Sequence, residues 1–437
     1  MNDQLALELK EADAKGGGVD TLVSYDDIHV SKSTFLNGLA NQVHRWFRLT
    51  PSFGPELVQE MMERLEVRDG ETVLDPFAGA GTTLIEAKLE GRDAVGFEIN
   101  PLLHFVNEAS LEWGVDPKVL RNQLQRLESE IGKSEGVALD DLEAHGLAIP
   151  PIHNPTRWWR PDILVQILFL RRAIFATEDP HVRRLLLLAL AGVLVPDLTN
   201  VTLGRLQLHF IDRTGHDINV WAIFSAHVGR IADDLESLRE SGAHLRGYAR
   251  CYHQNSMDLS QLRLDRRVSA VVTSPPYPNR YSYVWNTRPH LYMLGLMQTA
   301  KEASDLDKRT IGGTWGTATS ELSKGVFAPA SPAIAAVVGP VVEEIRAQDN
   351  LMANYVMHYF NRLTAQIAAM EPIVTEDARI AYVVGNSWIK GVYIETDVML
   401  GEIVDRMGLG YQTFDVHRFR RRHSGERLYE SIVYARK

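Results

Sequence analysis

Cysteine is nearly missing from this chain: 437 residues hold only Cys251. That excludes a disulfide framework and any zinc site built from several thiolates, and it fits a reducing compartment. The fifteen histidines form no His-x-x-x-His pair, and His417 and His423 sit in a cationic run that would repel a metal, so no metal centre is expected. Long apolar runs are missing as well. The longest, residues 185–195, is too short to span a bilayer and is flanked by Arg183-Arg184 and Pro196-Asp197. The first residues are polar and acidic and lack the apolar stretch of a signal peptide. These absences predict a soluble cytoplasmic protein without a membrane partner. There is no basic excess either: Lys and Arg number 46 against 56 acids, for a net charge of −10. Any nucleic-acid contact must therefore rest on local clusters.

What is present is an ordinary hydrophobic fraction, 45%, in a chain longer than a typical domain. One large core with a substantial insertion, or two domains, is expected. Residues 1–20 end in Gly16-Gly17-Gly18 and read as a flexible leader. Pro51-Ser52-Phe53-Gly54-Pro55 turns into a helix over 56–65, with Leu57, Met61, Met62 and Leu65 at helical spacing. Then comes strand, glycine loop, helix: Thr72-Val73-Leu74-Asp75-Pro76-Phe77-Ala78-Gly79-Ala80-Gly81-Thr82-Thr83 and the apolar residues after it. Glycines let backbone amides approach a ligand at a helix N-terminus. No lysine follows them, which excludes a nucleoside-triphosphate P-loop, and the third glycine of the dinucleotide fingerprint is missing. A second strand over 94–97 ends in Glu98, followed by Ile99-Asn100-Pro101. An acid at that place is the usual partner of ribose hydroxyls, so this βαβ half is expected to bind an adenosine-containing cofactor.

Residues 115–250 read as largely helical, with Trp221, Phe224, Val228, Ile231, Leu235 and Leu238 at helical spacing. Residues 200–210 alternate and predict a strand or an extended recognition segment. Beyond them, a polar cluster runs from Cys251 to Asp258. The apolar run 268–272 then stops in Thr273-Ser274-Pro275-Pro276-Tyr277. Two prolines fix φ and restrain the residues before them, so the loop presents a hydroxyl, free carbonyls and an aromatic plate in one shape. That suits a flat ring with an exocyclic amine, although an ordinary double-proline turn has the same letters. The chain then stays aromatic and basic, through Arg280, Tyr281, Tyr283, Trp285, Arg288 and His290. A long helical segment is expected over 332–370, strands over 379–385, 411–416 and 431–435, and a basic loop at Arg418, Arg420, Arg421 and Arg422 able to bind phosphates.

In this arrangement the chain resembles the amino-group DNA methyltransferases that use S-adenosylmethionine. Asp75 to Thr83 looks like their cofactor motif and Ser274-Pro275-Pro276-Tyr277 like their catalytic motif, in the serine form of the cytosine-N4 enzymes. The resemblance implies a doubly wound, Rossmann-like α/β methyltransferase sheet with an antiparallel C-terminal hairpin; the helical insertion is read from residues 115–250 and departs from the family's pattern. Its parts would be residues 21–114 (cofactor half), 115–250 (helical insertion and target-recognition region) and 251–437 (catalytic half). It implies S-adenosylmethionine bound by Phe53, Asp75, Pro76, Phe77, Ala78, Gly79, Gly81, Thr82, Thr83, Glu98, Ile99, Asn100 and Asp258. Catalysis would fall to Ser274, Pro275, Pro276 and Tyr277, and DNA contact to Arg280, Arg288, Arg418, Arg420, Arg421 and Arg422. The expected reaction is methyl transfer to cytosine N4 in double-stranded DNA after base flipping, within a restriction-modification system that includes a cognate endonuclease. Adenine-N6 methylation, an RNA amino-methyltransferase and a catalytically silent DNA-binding subunit are the alternatives. Carbon-5 methylation needs a cysteine nucleophile, and Cys251 lies outside any Pro-Cys loop.

Overall fold

The computed structural model describes residues 23–25, 40–49, 52–204, 207–259, 262–312, 317–421 and 428–437. The expected leader, residues 1–20, lies outside the described residues.

The fold is α/β. Among the described residues the strands are β1 (Val23–Tyr25), β2 (Thr72–Asp75), β3 (Asp93–Glu98), β4 (Val201–Leu203), β5 (Leu208–Phe210), β6 (Ala249–His253), β7 (Val268–Thr273), β8 (Val374–Gly385), β9 (Ser387–Ile389) and β10 (Val392–Ile394), followed by a C-terminal pair. The C-terminal pair is β11 (Gln412–Arg421) and β12 (Tyr429–Arg436). Eight of these form one sheet in the order β1-β11-β12-β8-β7-β2-β3-β6. Strands β6, β3, β2, β7 and β8 run parallel, while β12 is antiparallel to both β8 and β11. The chain therefore moves outward from β2 through β3 to β6, then returns to the other side of β2 as β7. The crevice at the C-terminal ends of β2 and β7 is the point where the winding reverses, which is where open α/β sheets bind their ligands.

Alternation along the strands explains why both faces are covered. Val73, Ala94, Ala270 and Val272 point to one face, where they meet Leu57, Val58, Met61, Leu84 and Ala87 of α1 (Pro55–Arg64) and α2 (Thr82–Leu89). Leu74, Val95, Phe97 and Val271 point to the other face. There they pack with helices Pro332–Arg346, Asn350–Ala369 and Thr396–Arg406. Strands buried on both faces read as continuous apolar runs, as β7 does. The long helix expected over 332–370 is in fact two helices. Asp349 ends the linker between them by accepting from the Met352 amide at 3.1 Å.

Between β3 and β6 the chain forms α3 (Pro101–Ser110), α4 (Pro117–Gly132), α5 (Pro161–Phe175), α6 (Pro180–Val193) and α7 (Val220–Glu240). Each of the first four begins with proline, whose missing N–H costs nothing there. Asp116, Asp179 and Asn219 cap α4, α6 and α7 with side-chain oxygens. Within the alternating segment 200–210, residues 201–203 and 208–210 pair antiparallel as β4 and β5, apart from the large sheet. These helices share one apolar cluster with Val43, Trp46 and Phe47 near the N-terminus and with α8 (Tyr283–Met293), which follows the double-proline loop.

Candidate active site

The end of β2 carries Asp75, completely buried. Its Oδ1 accepts from the Phe77 amide at 2.9 Å and from the Thr273 hydroxyl at 2.5 Å. The second bond joins the glycine loop of β2 to the double-proline loop of β7. Its Oδ2 is buried without a bond of ordinary geometry among the described residues, the nearby Thr83 hydroxyl being directed to the Val272 carbonyl at 3.2 Å. Burial, only partly offset by these donors, pushes the Asp75 carboxyl up to about 6.

Past Asp75 the chain needs glycine. Gly79 has φ of +53° and Gly81 +90°, and a Cβ on Gly81 would lie 2.5 Å from the Asn107 oxygen. Asn107, on α3, is fully buried and donates to the Gly79 carbonyl at 2.7 Å and to Leu103 at 2.8 Å. The Ala78 amide donates to Phe97 at 3.0 Å, bringing the loop against β3. Thr82 and Thr83, both buried, open α2. At the end of β3, Glu98 accepts from Gly79 N at 2.9 Å and from Asn100 N at 2.7 Å. Burial, aided by the charge of Asp75, raises its carboxyl to about 7. Asn100 caps α3 and donates to Thr287 of α8 at 3.1 Å. Ile99 packs on the helical cluster, and Phe53 is half-buried against the cluster that covers the α1–α2 face of the sheet.

Thr273 is buried, Ser274 half-buried, Pro275 buried, and Pro276 and Tyr277 half-buried. The Tyr277 ring lies flat against the backbone of Gly385 at the end of β8: a Cβ there would meet two ring carbons at 2.7 and 2.8 Å. Gly312 faces the Tyr277 carbonyl and Pro276 from the other direction. Arg280 takes a left-handed conformation, φ 62°, and donates its amide to the Tyr355 hydroxyl at 3.1 Å. Tyr281 and Tyr283 meet edge to face at 4.8 Å, and the Tyr283 hydroxyl is raised by burial and then by the Glu98 charge. The loop following the prolines thus runs back over the acid that ends β3.

The structure brings together Asp75, the glycine loop, Glu98, Asn100 and the Ser274–Tyr277 loop. Asp258 lies exposed in the turn after β6, at the same edge of the sheet as Glu98. Arg280 is exposed, while Arg288 is half-buried beneath Trp285. The expected basic loop is corrected: residues 412–421 are strand β11. Arg418 is buried with Nε 2.8 Å from Asp397, so it has no face for a phosphate. Arg420 pairs with Glu430 at 3.2 Å, Arg421 ends the strand, and Arg422 lies outside the described residues. Sequence reading missed Asn107, Gly385, the buried pair His44–Glu86 at 2.5 Å on α2, and Asp234 of α7. Only Gly385 had a local signal, a glycine closing an apolar strand. Among the described residues no group of three or more His, Cys, Asp or Glu side chains is placed to hold a metal, and no helix is long and apolar enough to cross a membrane.

The family described as DNA methylase matches residues 24–106. Type II methyltransferase M.BsoBI of Geobacillus stearothermophilus is 23% identical over 274 residues, covering 58% of this chain and 53% of its own. M.MvaI of Kocuria varians is 19% identical over 413 residues, 90% of this chain and 87% of its own. The chain thus spans about half the length of the first relative and most of the second. A solved rRNA methyltransferase, AviRa from Streptomyces viridochromogenes, aligns over 91% of this chain and 92% of its own, with a TM-score of 0.31 and 11% identity.

The matched family implies S-adenosylmethionine as methyl donor. The residues present fit it. Glu98 keeps lone pairs for ribose hydroxyls beside the glycine loop, and the unpartnered Asp75 Oδ2 suits the ammonium end of a methionyl group.

Proposed function

We propose that this chain methylates the exocyclic N4 amine of cytosine in double-stranded DNA, using S-adenosylmethionine, after the base has swung out of the helix into the crevice between β2 and β7. The observation that carries this reading is the Thr273–Asp75 hydrogen bond, which fixes the double-proline loop beside the cofactor loop at the switch point of the sheet. The cofactor supplies an electrophilic methyl group and leaves as the thioether S-adenosylhomocysteine, and the methylated amine gives up one proton to solvent after the transfer. The protein's task is to make a poor nucleophile attack it, because the amine's lone pair is delocalised into the ring.

In this reading the Ser274 oxygen and the Pro275 carbonyl accept from the two amine hydrogens, drawing the lone pair back onto nitrogen, and Tyr277 stacks on the base. The prolines hold these acceptors in place, and Gly385 holds the ring. Phe53 and the residues from Asp75 to Thr83, with Glu98, Ile99 and Asn100, line the cofactor side, and Asp258 faces its adenine. Arg280, at the rim, contacts the DNA backbone. The preference for cytosine rests on Ser274, the form of the motif that the N4 enzymes carry. A restriction endonuclease reading the same sequence is the partner such an enzyme protects against.

The test is nucleoside mass spectrometry of duplex DNA incubated with the purified protein and S-adenosylmethionine. N4-methylcytosine is the expected product. N6-methyladenine in its place overturns the choice of base, and methyl incorporation into RNA alone overturns the choice of DNA.

A further inference from the structure

The acidic net charge and the loss of Arg418 to a buried ion pair leave open which surface holds the nucleic acid. One face of the described residues has the chemistry. It starts on α8, the helix that follows the catalytic loop. Arg288 stacks on Trp285 with its guanidinium carbon 3.1 Å from the ring centroid, and its other side approaches Trp158 at 5.3 Å. Trp158 meets Phe210 of β5 at 5.1 Å, and Arg157 lies 3.9 Å over that ring. The result is a row of cations and aromatic rings, Trp285, Arg288, Trp158, Phe210 and Arg157, running from beside the catalytic loop out to β5.

Three features separate this row from ordinary core. Trp285 and Phe210 are 38% and 40% exposed and Arg157 is exposed over the Phe210 ring, while Trp158 is the buried link between the two ends. Neither Arg157 nor Arg288 has a carboxylate partner among the described residues, whereas Arg160 is tied to Asp162 at 2.6 Å and Arg213 to the Pro196 and Asp197 carbonyls. Arg288 is desolvated enough to fall to about 10, so the fold keeps a half-buried cation without neutralising it. The chain entering β4 is also firmly rooted. The Asn200 amide donates to the Trp158 carbonyl at 2.7 Å, and Thr199 anchors to Val195 at 2.8 Å where α6 ends in a π-helical turn.

We infer that β5, the short turn before α5 and the exposed side of α8, through Arg157, Phe210, Trp285 and Arg288, form the surface that grips duplex DNA next to the flipped base. Unneutralised arginines meet phosphates, and exposed rings stack on bases or sugars at the opened step. The inference rests on the DNA reading proposed above and assigns to it a surface. It places DNA contact on the helical region between β3 and β6 and on α8 rather than on the C-terminal strands.

Fluorescence anisotropy with a labelled duplex carrying a target site, in the presence of the inert cofactor product S-adenosylhomocysteine, tests it. Phe210→Ala and Arg157→Ala should each weaken DNA binding by at least about fivefold, with the affinity for S-adenosylhomocysteine unchanged. Arg157→Ala should also lower the slope of log affinity against log salt by about 1. Phe210→Tyr should bind like the wild type. Phe414→Ala, which removes an exposed ring from β11, should have no effect. Unchanged DNA affinity in Phe210→Ala and Arg157→Ala, with a wild type that binds and methylates DNA, overturns this inference alone. A wild type that ignores DNA but binds a labelled RNA hairpin overturns the reading beneath it.

Discussion

The stacking role proposed for Tyr277 needs a fixed ring plane, and that plane is set by packing against a residue that lacks a side chain, Gly385. A single methyl at position 385 would sit 2.7 Å from the ring, closer than carbons approach without movement. Gly385→Ala should therefore tilt Tyr277 while leaving the cofactor side alone. A displacement of about 1 Å costs on the order of a hundredfold in turnover, so kcat should fall by about that much with cofactor affinity within twofold of wild type. Steady-state kinetics beside calorimetric titration separate the two. Loss of both would mean that Gly385 supports the sheet rather than the ring. Glu98 carries a second prediction. Burial raises it to about 7, and in the role proposed for it the ionised form would hold the ribose. Cofactor affinity should fall about tenfold between pH 8 and pH 6, and Glu98→Gln should bind more weakly with a flat profile. The stability sign is opposite. Folding raises this carboxyl above its ordinary 4.5, so the folded state takes up a proton between 4.5 and about 7 and the free protein loses stability as pH climbs through that window.

Among elements, the segment before α1 shows how a distant helix can brace the cofactor loop. Asp234 of α7 is buried and accepts from the Val43 amide at 3.0 Å, Trp46 Nε1 at 2.7 Å and Arg45 Nε at 3.1 Å. The neighbouring His44 reaches Glu86 on α2, which also accepts from Gln59 of α1 at 2.6 Å. Asp234→Ala leaves two buried donors unpaired and should cost about 2–3 kcal/mol in chemical denaturation, a larger loss than an exposed acid such as Asp233 would show. No periodicity foretold this clamp, because its partners lie 188 to 191 residues apart. The motifs were legible for the converse reason. Asp75, Gly79 and Gly81 act through the backbone of one loop, as do Ser274 to Tyr277, so neighbouring letters carry the chemistry. Asn107, which locks that glycine loop from 28 residues away, left no such trace. The basic run around Arg418 misled because its acids, Asp397 and Glu395, lie 21 and 23 residues earlier, and only the sheet brings them under it.

For the whole molecule, the order of sheet strands follows from two windings that part at β2, which the paired glycine-loop and double-proline motifs already announced. The helical region between β3 and β6 is different. Its span was readable from apolar spacing, but not its attachment. Val43, Trp46 and Phe47, α3, α4 to α7 and Val284 to Met293 of α8 bury their side chains in one cluster, and Trp46, Trp113 and Trp159 are almost completely enclosed in it. The helices from Pro117 to Glu240 thus share their core with the segments that frame both the glycine loop and the double-proline loop, and no apolar seam separates them among the described residues. A unit that could unfold by itself would need its own closed core. Scanning calorimetry should therefore give one endotherm for the full chain. Saturating S-adenosylmethionine, at a hundredfold excess over its Kd, contributes about 2.7 kcal/mol and should raise that single midpoint by about 3 °C, given an unfolding entropy of about 2.1 cal/mol/K per residue. Two endotherms, only one of them moved by the cofactor, would show that the helices between β3 and β6 fold apart from the sheet they are wrapped against.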